Sequence, residues 1–174
     1  GSTFWFILTL KNTIDNFSYN EKSYIPNKNR SSKPLLTKLP QFNATILLVE
    51  DNFTNQMVAQ CMLEEFGIHP ELAINGKEAI EKLEQKPYDL IFMDCQMPVL
   101  DGYATTQYIR DPQSSIYNPT IPIIAMTANT MRGDREKCIA VGMSDFIPKP
   151  VNQEVLMQAL ITWCLGRLSG DNTL

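Results

Sequence analysis

Four short apolar runs, each ending in polar residues, constrain this chain more than any other feature. Ile46-Leu47-Leu48-Val49 closes on Glu50 and Asp51, and Leu90-Ile91-Phe92-Met93 closes on Asp94. The run Ile121 to Met126 closes on Thr127, and Asp145-Phe146-Ile147 leads to Lys149-Pro150. Runs of this length bounded by turn residues read as buried strands. The second and third runs are almost wholly apolar, as central parallel strands buried on both faces should be.

Between the strands the apolar spacing lengthens to that of helices. A helix is expected at about 53–66, stopped by Gly67, a natural left-handed cap. A short edge strand from His69 to Ala73 precedes a helix from Gly76 to Glu84, with Asn75 as its N-cap and Ala79, Ile80 and Leu83 as its apolar face. Further helices are expected at about 103–110, with Asp101 as its cap, at about 131–140, ending at Gly142, and at 153–164, with Leu156, Ala159, Leu160 and Trp163 facing inward. Five βα units with right-handed crossovers give an α/β fold, a doubly wound five-stranded parallel sheet with helices on both faces. The expected order is the flavodoxin-like 2-1-3-4-5.

In such a sheet the carboxyl ends of all strands share one edge, where ligands bind. Glu50, Asp51, Asp94, Thr127 and Lys149 therefore converge on one crevice. For any one of them alone, a turn or helix cap is the ordinary explanation; the set, each member after an independent strand, points to chemistry. Three clustered carboxylates repel one another unless a cation intervenes, and Mg²⁺, which takes oxygen ligands, suits that role. A hydroxyl and an ammonium beside a carboxylate nucleophile suit the charge that spreads over a transferring phosphoryl group.

Charge is unevenly spread along the 174 residues. Residues 11–43 carry six basic and two acidic side chains, and residues 44–174 carry nine basic and seventeen acidic. The folded part is thus near −8, which argues against nucleic acid as its ligand. Cys61, Cys95, Cys138 and Cys164 are far apart and there is one histidine, His69, so no zinc site or disulfide framework is expected. A reducing, cytoplasmic setting fits. His69 reads as a surface residue, and Cys95 as directed away from the nucleophile beside it.

These motifs together resemble the receiver domain of two-component response regulators, in the version attached to hybrid sensor histidine kinases. The carriers are Val49-Glu50-Asp51-Asn52, Met93-Asp94-Cys95-Gln96-Met97-Pro98-Val99-Leu100-Asp101-Gly102, Met126-Thr127-Ala128 and Asp145-Phe146-Ile147-Pro148-Lys149-Pro150. The resemblance covers about residues 44–165. It implies that Asp94 accepts a phosphoryl group from a phosphohistidine, and that Glu50, Asp51, Asp94 and the backbone carbonyl of Gln96 hold Mg²⁺. It further implies that Thr127 and Phe146 form a switch pair, that Lys149 binds the phosphoryl group, and that a histidine kinase domain and a histidine phosphotransfer domain are the partners. Glu50 stands where a second aspartate is common. Gln96 and Asn129, two residues beyond Asp94 and Thr127, are expected on the crevice rim.

Gly1-Ser2-Thr3-Phe4-Trp5-Phe6 resembles the closing strand of a histidine kinase ATP-binding domain. The expected organisation is that remnant strand over 1–10, a linker over 11–43 rich in Asn, Ser, Lys and Pro, the receiver over 44–166 and a tail over 167–174. The run Phe4 to Leu8 is too short to span a bilayer, so no membrane contact is expected of this piece, although a parent chain could be anchored in the inner membrane. Cut from its sheet, that run is expected to be disordered or to dock on a sheet edge or a neighbouring chain, the latter giving weak self-association. The kinase's glycine boxes and phosphorylated-histidine helix are absent, so this piece is not expected to be a kinase. Two other classes compete with this reading: a Mg-dependent aspartyl-nucleophile phosphatase and a flavodoxin-like cofactor binder. The first wants its nucleophile after the first strand with a second Asp two residues on. The second wants a phosphate-cradling loop where this chain has Glu50-Asp51-Asn52.

Overall fold

The alternation of the strand sequences decides the two-faced core. A computed structural model of the protein describes residues 39–128 and 132–165. Its elements run β1 (Ile46–Val49), α1 (Phe53–Glu65), β2 (Glu71–Ala73), α2 (Gly76–Gln85), β3 (Leu90–Asp94), α3 (Gly102–Arg110), β4 (Ile123–Thr127), α4 (Arg132–Ala140), β5 (Asp145–Pro148) and α5 (Gln153–Leu160). The strands form one parallel sheet in the order β2-β1-β3-β4-β5. Successive strand residues face opposite sides. Leu47, Val49, Ile91, Met93, Ile123 and Ala125 meet α2, α3 and α4 through Ala79, Leu83, Ile109 and Cys138. Ile46, Leu48, Leu90, Phe92, Ile124 and Met126 meet α1 and α5 through Ala59, Leu63, Leu156, Ala159 and Leu160.

Local signals set the boundaries. Gly67 adopts φ 79°, and the N–H groups of Gly67 and Ile68 donate to the Glu64 and Leu63 carbonyls, closing α1 as expected. Asn52, Asn75, Asp101 and Asn152 each accept backbone N–H bonds at the starts of α1, α2, α3 and α5. Three boundaries differ from the sequence expectation by two residues or more. β2 begins at Glu71, not His69, since Pro70 has no N–H to give the ladder. β4 runs from Ile123 to Thr127, two residues later than its apolar run began. The last helix is α-helical only to Leu160 and ends in a π-helical turn, Ile161–Leu165.

Packing also reaches further toward the N-terminus than residue 44. Phe42 is buried, its ring meets Phe66 edge-on at 6.2 Å, and its N–H donates to the Phe66 carbonyl at 3.0 Å. The remnant strand over 1–10, most of the linker, Asn129 and the tail over 167–174 lie outside the described residues.

Candidate functional site

Each candidate side chain is delivered by the end of a strand. Glu50 leaves β1 with its N–H donating to the Ala73 carbonyl of β2 at 3.0 Å. Asn52 then turns the chain by capping α1, accepting from the N–H groups of Thr54 at 3.0 Å and Asn55 at 3.1 Å. Asp94 is the last residue of β3, paired with Met126, and Thr127 is the last of β4, paired with Pro148. Lys149 follows β5, its N–H donating to the Thr127 carbonyl at 2.8 Å, and the bond to Pro150 is cis.

Gly102 makes the loop after Asp94 fit. A Cβ there would stand 2.2 Å from the Asp94 carbonyl oxygen, so a side chain would push the loop off the strand end. Asp101 caps α3 through the Ala104 N–H at 2.8 Å, the structural role expected of it.

The charged groups form one connected set. The Lys149 Nζ lies 2.6 Å from Glu50 Oε2 and 2.7 Å from Asp94 Oδ2, bridging two buried carboxylates. Glu50 Oε1 also accepts from Asn55 Nδ2 at 2.9 Å, and Asp94 Oδ1 accepts from the Gln96 N–H at 3.1 Å. Asp51 is exposed at the mouth. One carboxylate oxygen from each of Glu50, Asp51 and Asp94 lies within 4.8 Å of the others, a separation a single divalent ion can span. The crevice they line has a volume of about 300 Å³ and extends to Gln96 and Ala128.

Burial raises the Asp94 carboxyl above its ordinary value, against the opposing pull of Lys149 and the Gln96 N–H; Glu50 adds to the rise. Burial alone would lower the Lys149 ammonium, but its hydrogen bonds and charge interactions with Asp94 and Glu50 outweigh that, and its pKa is raised. The lysine therefore stays charged at neutral pH.

Thr127 is buried at the end of β4, and the next residue, Ala128, lines the crevice. Phe146 pairs with Ala125, two residues before Thr127, so both candidate switch residues face the α4 side of the sheet. The Phe146 ring is half-buried, with the Arg135 guanidinium of α4 5.6 Å from its centroid.

His69 is a surface residue, 3.8 Å from Glu64. Cys95 points away from the crevice, into the layer beneath α4. Burial pushes its thiol up to about 12, with Cys138 adding to the rise.

Two residues that hold the site carried no sequence signal. Asn55 orients Glu50, and Gln56 Nε2 donates to the Glu50 carbonyl. Both lie on the first turn of α1, where a polar residue normally reads as solvated helix surface.

With this geometry in view, the likenesses to known proteins are informative. Residues 46–161 match the response regulator receiver domain. The chain is 42% identical over 164 residues to hybrid signal transduction histidine kinase K of Dictyostelium discoideum, covering 92% of this chain but only 13% of that protein's length. It is 43% identical to the receiver domain of a Pseudomonas aeruginosa sensor histidine kinase crystallised with a magnesium ion in its active-site cleft, with a TM-score of 0.63 over 70% of this chain and 97% of that one. It is 30% identical to the Saccharomyces cerevisiae receiver domain of Ssk1, solved in complex with the histidine phosphotransfer protein Ypd1, with a TM-score of 0.66 over 77% of this chain and 96% of that one. The strand order, the four motifs in sequence and the family match agree: this chain belongs to the response regulator receiver domain family.

Proposed function

We propose that this receiver takes a phosphoryl group from a phosphohistidine onto Asp94, holds it as an acyl phosphate, and relays or hydrolyses it. The observation that carries this is the convergence of Glu50, Asp51 and Asp94 within 4.8 Å, with the Lys149 ammonium 2.7 Å from Asp94 Oδ2. An Asp94 oxygen attacks phosphorus as the bond to the histidine nitrogen breaks, and imidazole departs. Lys149 already points at the acceptor and answers the charge gained by the phosphoryl oxygens. Glu50, Asp51, Asp94 and the Gln96 carbonyl would hold Mg²⁺, whose charge would offset that of the phosphoryl oxygens and the carboxylates' mutual repulsion. Because Lys149 bridges Glu50 and Asp94, a bound metal would share those two carboxylates with the lysine.

Thr127 and Phe146 form the switch in this reading. Thr127 turns its hydroxyl toward the phosphoryl group, and the Phe146 ring moves inward from beneath Arg135. The partner is a histidine phosphotransfer domain or a histidine kinase domain. Phe53, Met57 and Val58 on α1 and Val99 in the β3–α3 loop are exposed apolar residues near the crevice, 72%, 49%, 44% and 79% accessible. Such residues rimming a polar site suit a docking surface. The parent is a hybrid histidine kinase in a cytoplasmic setting. The 164-residue alignment supports this, because it leaves only 8% of the chain uncovered and must extend well before residue 46. No helix among the described residues is long and apolar enough to cross a membrane.

Incubation with acetyl phosphate and Mg²⁺ tests the assignment. The chain should gain one alkali-labile, hydroxylamine-labile phosphoryl group, mapped to Asp94 and absent in Asp94→Asn. Labelling that survives in Asp94→Asn would overturn the assignment.

A further inference from the structure

The phosphoryl chemistry leaves unused a pair of thiols on the far side of the loop after β3. Cys95 Sγ lies 3.8 Å from Cys138 Sγ, and both side chains are buried. Their backbones belong to different elements. The Cys95 N–H donates to the Met126 carbonyl of β4 at 3.1 Å, fixing it to the sheet next to Asp94. Cys138 rides on α4, the helix whose Arg135 stacks on Phe146. A cavity of about 390 Å³, lined by Cys95, Gln96, Met97, Tyr103 and Lys137 among others, opens beside the pair and gives a small oxidant a way in.

We propose that Cys95 and Cys138 form a reversible disulfide that ties α4 to the phosphoacceptor loop. Sulfurs in contact must approach to about 2.05 Å, a movement of less than about 2 Å that rotation of both side chains and a small shift of α4 can supply. With a peroxide as oxidant, the Cys95 sulfur attacks one peroxide oxygen, the O–O bond breaks, and a sulfenic acid and one water form. The Cys138 sulfur then attacks the sulfenic sulfur, the S–S bond forms, and the hydroxyl leaves as a second water with the thiol proton. Two thiols are oxidised by two electrons and the peroxide is reduced by two. Burial keeps the pair slower to react than the exposed Cys61. The consequence for signalling rests on the phosphoacceptor reading above: a bond that fixes one position of α4 must alter how readily Asp94 gains its phosphoryl group.

Hydrogen peroxide treatment of the full Cys61→Ser chain, followed by alkylation and peptide mapping, tests the bond by itself. The expected product is a Cys95–Cys138 linked peptide that dithiothreitol removes. Its absence, under peroxide that oxidises Cys61 in the unaltered chain, would overturn the proposal. Phosphorylation by acetyl phosphate is measured separately on reduced, oxidised and re-reduced chain. Oxidation should slow it at least fivefold, re-reduction should restore it, and Cys138→Ala and Cys138→Ser chains should lose the peroxide effect while keeping the reduced rate. A linked chain phosphorylated as fast as the reduced one would overturn the regulatory half. Failure of the reduced chain to take phosphate would instead count against Asp94 as acceptor, leaving the mapped bond unaffected.

Discussion

Two clusters of lysines and carboxylates sit at different places on the sheet and behave in opposite ways. At the β2 edge, Glu71 faces two cations: Lys86, and Lys82 at 3.0 Å from Oε1; the Tyr88 hydroxyl adds a hydrogen bond at 2.7 Å. Hydrogen bonds from Lys86 and Tyr88, with Lys82 assisting, hold the Glu71 carboxyl down at about 2. At the crevice one lysine serves two carboxylates, both nearly sealed from water, and Asp94 is pushed up instead. The chemistry is the same; the ratio of cations to anions and the depth of burial differ. An anion surplus among buried carboxylates is poor for stability and good for capturing a cation, whereas the edge cluster gives its central carboxylate two cations and charges the edge strand against pairing with another chain.

The largest test of that contrast removes the bridging lysine. Lys149→Ala should destabilise the metal-free protein by about 3 kcal/mol at pH 7, because it strands two buried carboxylates. Urea unfolding should show much of the loss restored by saturating Mg²⁺. Since the Lys149 pKa is raised, its stabilisation is present below the ordinary lysine value near 10.5 and fades as pH rises through the higher folded value. A loss that Mg²⁺ leaves untouched would mean that the crevice does not act as an anion surplus.

Next in size, Asp51→Asn should weaken Mg²⁺ binding by roughly tenfold or more in calorimetric titration, with little change in urea midpoint because Asp51 is exposed. Binding should also fall at acid pH as protons compete for the carboxylates.

Asp94→Asn should then raise stability at pH 7 in the absence of metal. The folded protein holds the Asp94 proton more tightly than the unfolded chain does, so this group's contribution is fully present below about pH 3.9 and is lost as pH rises through its folded pKa. The variant's advantage in urea midpoint should therefore shrink as pH falls toward 4. A variant less stable than the parent at pH 7 would show that Lys149 compensates Asp94 more fully than burial penalises it.

The smallest effect belongs to the edge. Glu71→Gln should lower stability at pH 7 by less than about 1 kcal/mol, as expected of a partly exposed ion network. Here the sign is reversed. A lowered pKa gives stability above the ordinary value of 4.5 that is lost as pH falls toward 2, so parent and variant should converge there. Added salt should narrow the gap at pH 7 and leave the crevice variants less affected.

The contrast also explains what could be read from residues alone. Strand positions, helix caps and the convergence of Glu50, Asp51, Asp94 and Lys149 follow from periodicity and from the rule that parallel strand ends share an edge. Glu71 gave no hint of its cluster, because Lys82, Lys86 and Tyr88 lie on a helix and loop whose approach to β2 is a matter of packing. Asn55 and Gln56 were invisible because polar residues on a first helical turn read as solvated surface.

The sequence by itself determined the alternating two-faced strands, the caps and the set of chemical groups at one edge, since these depend on local period and on the handedness of βα units. Only the tertiary structure decided that Lys149 bridges Glu50 and Asp94, and that Cys95 meets Cys138. Those facts depend on distances between side chains from separate elements, set within an ångström or two by how the two core layers pack. A pattern of residue types along one chain carries no such distances.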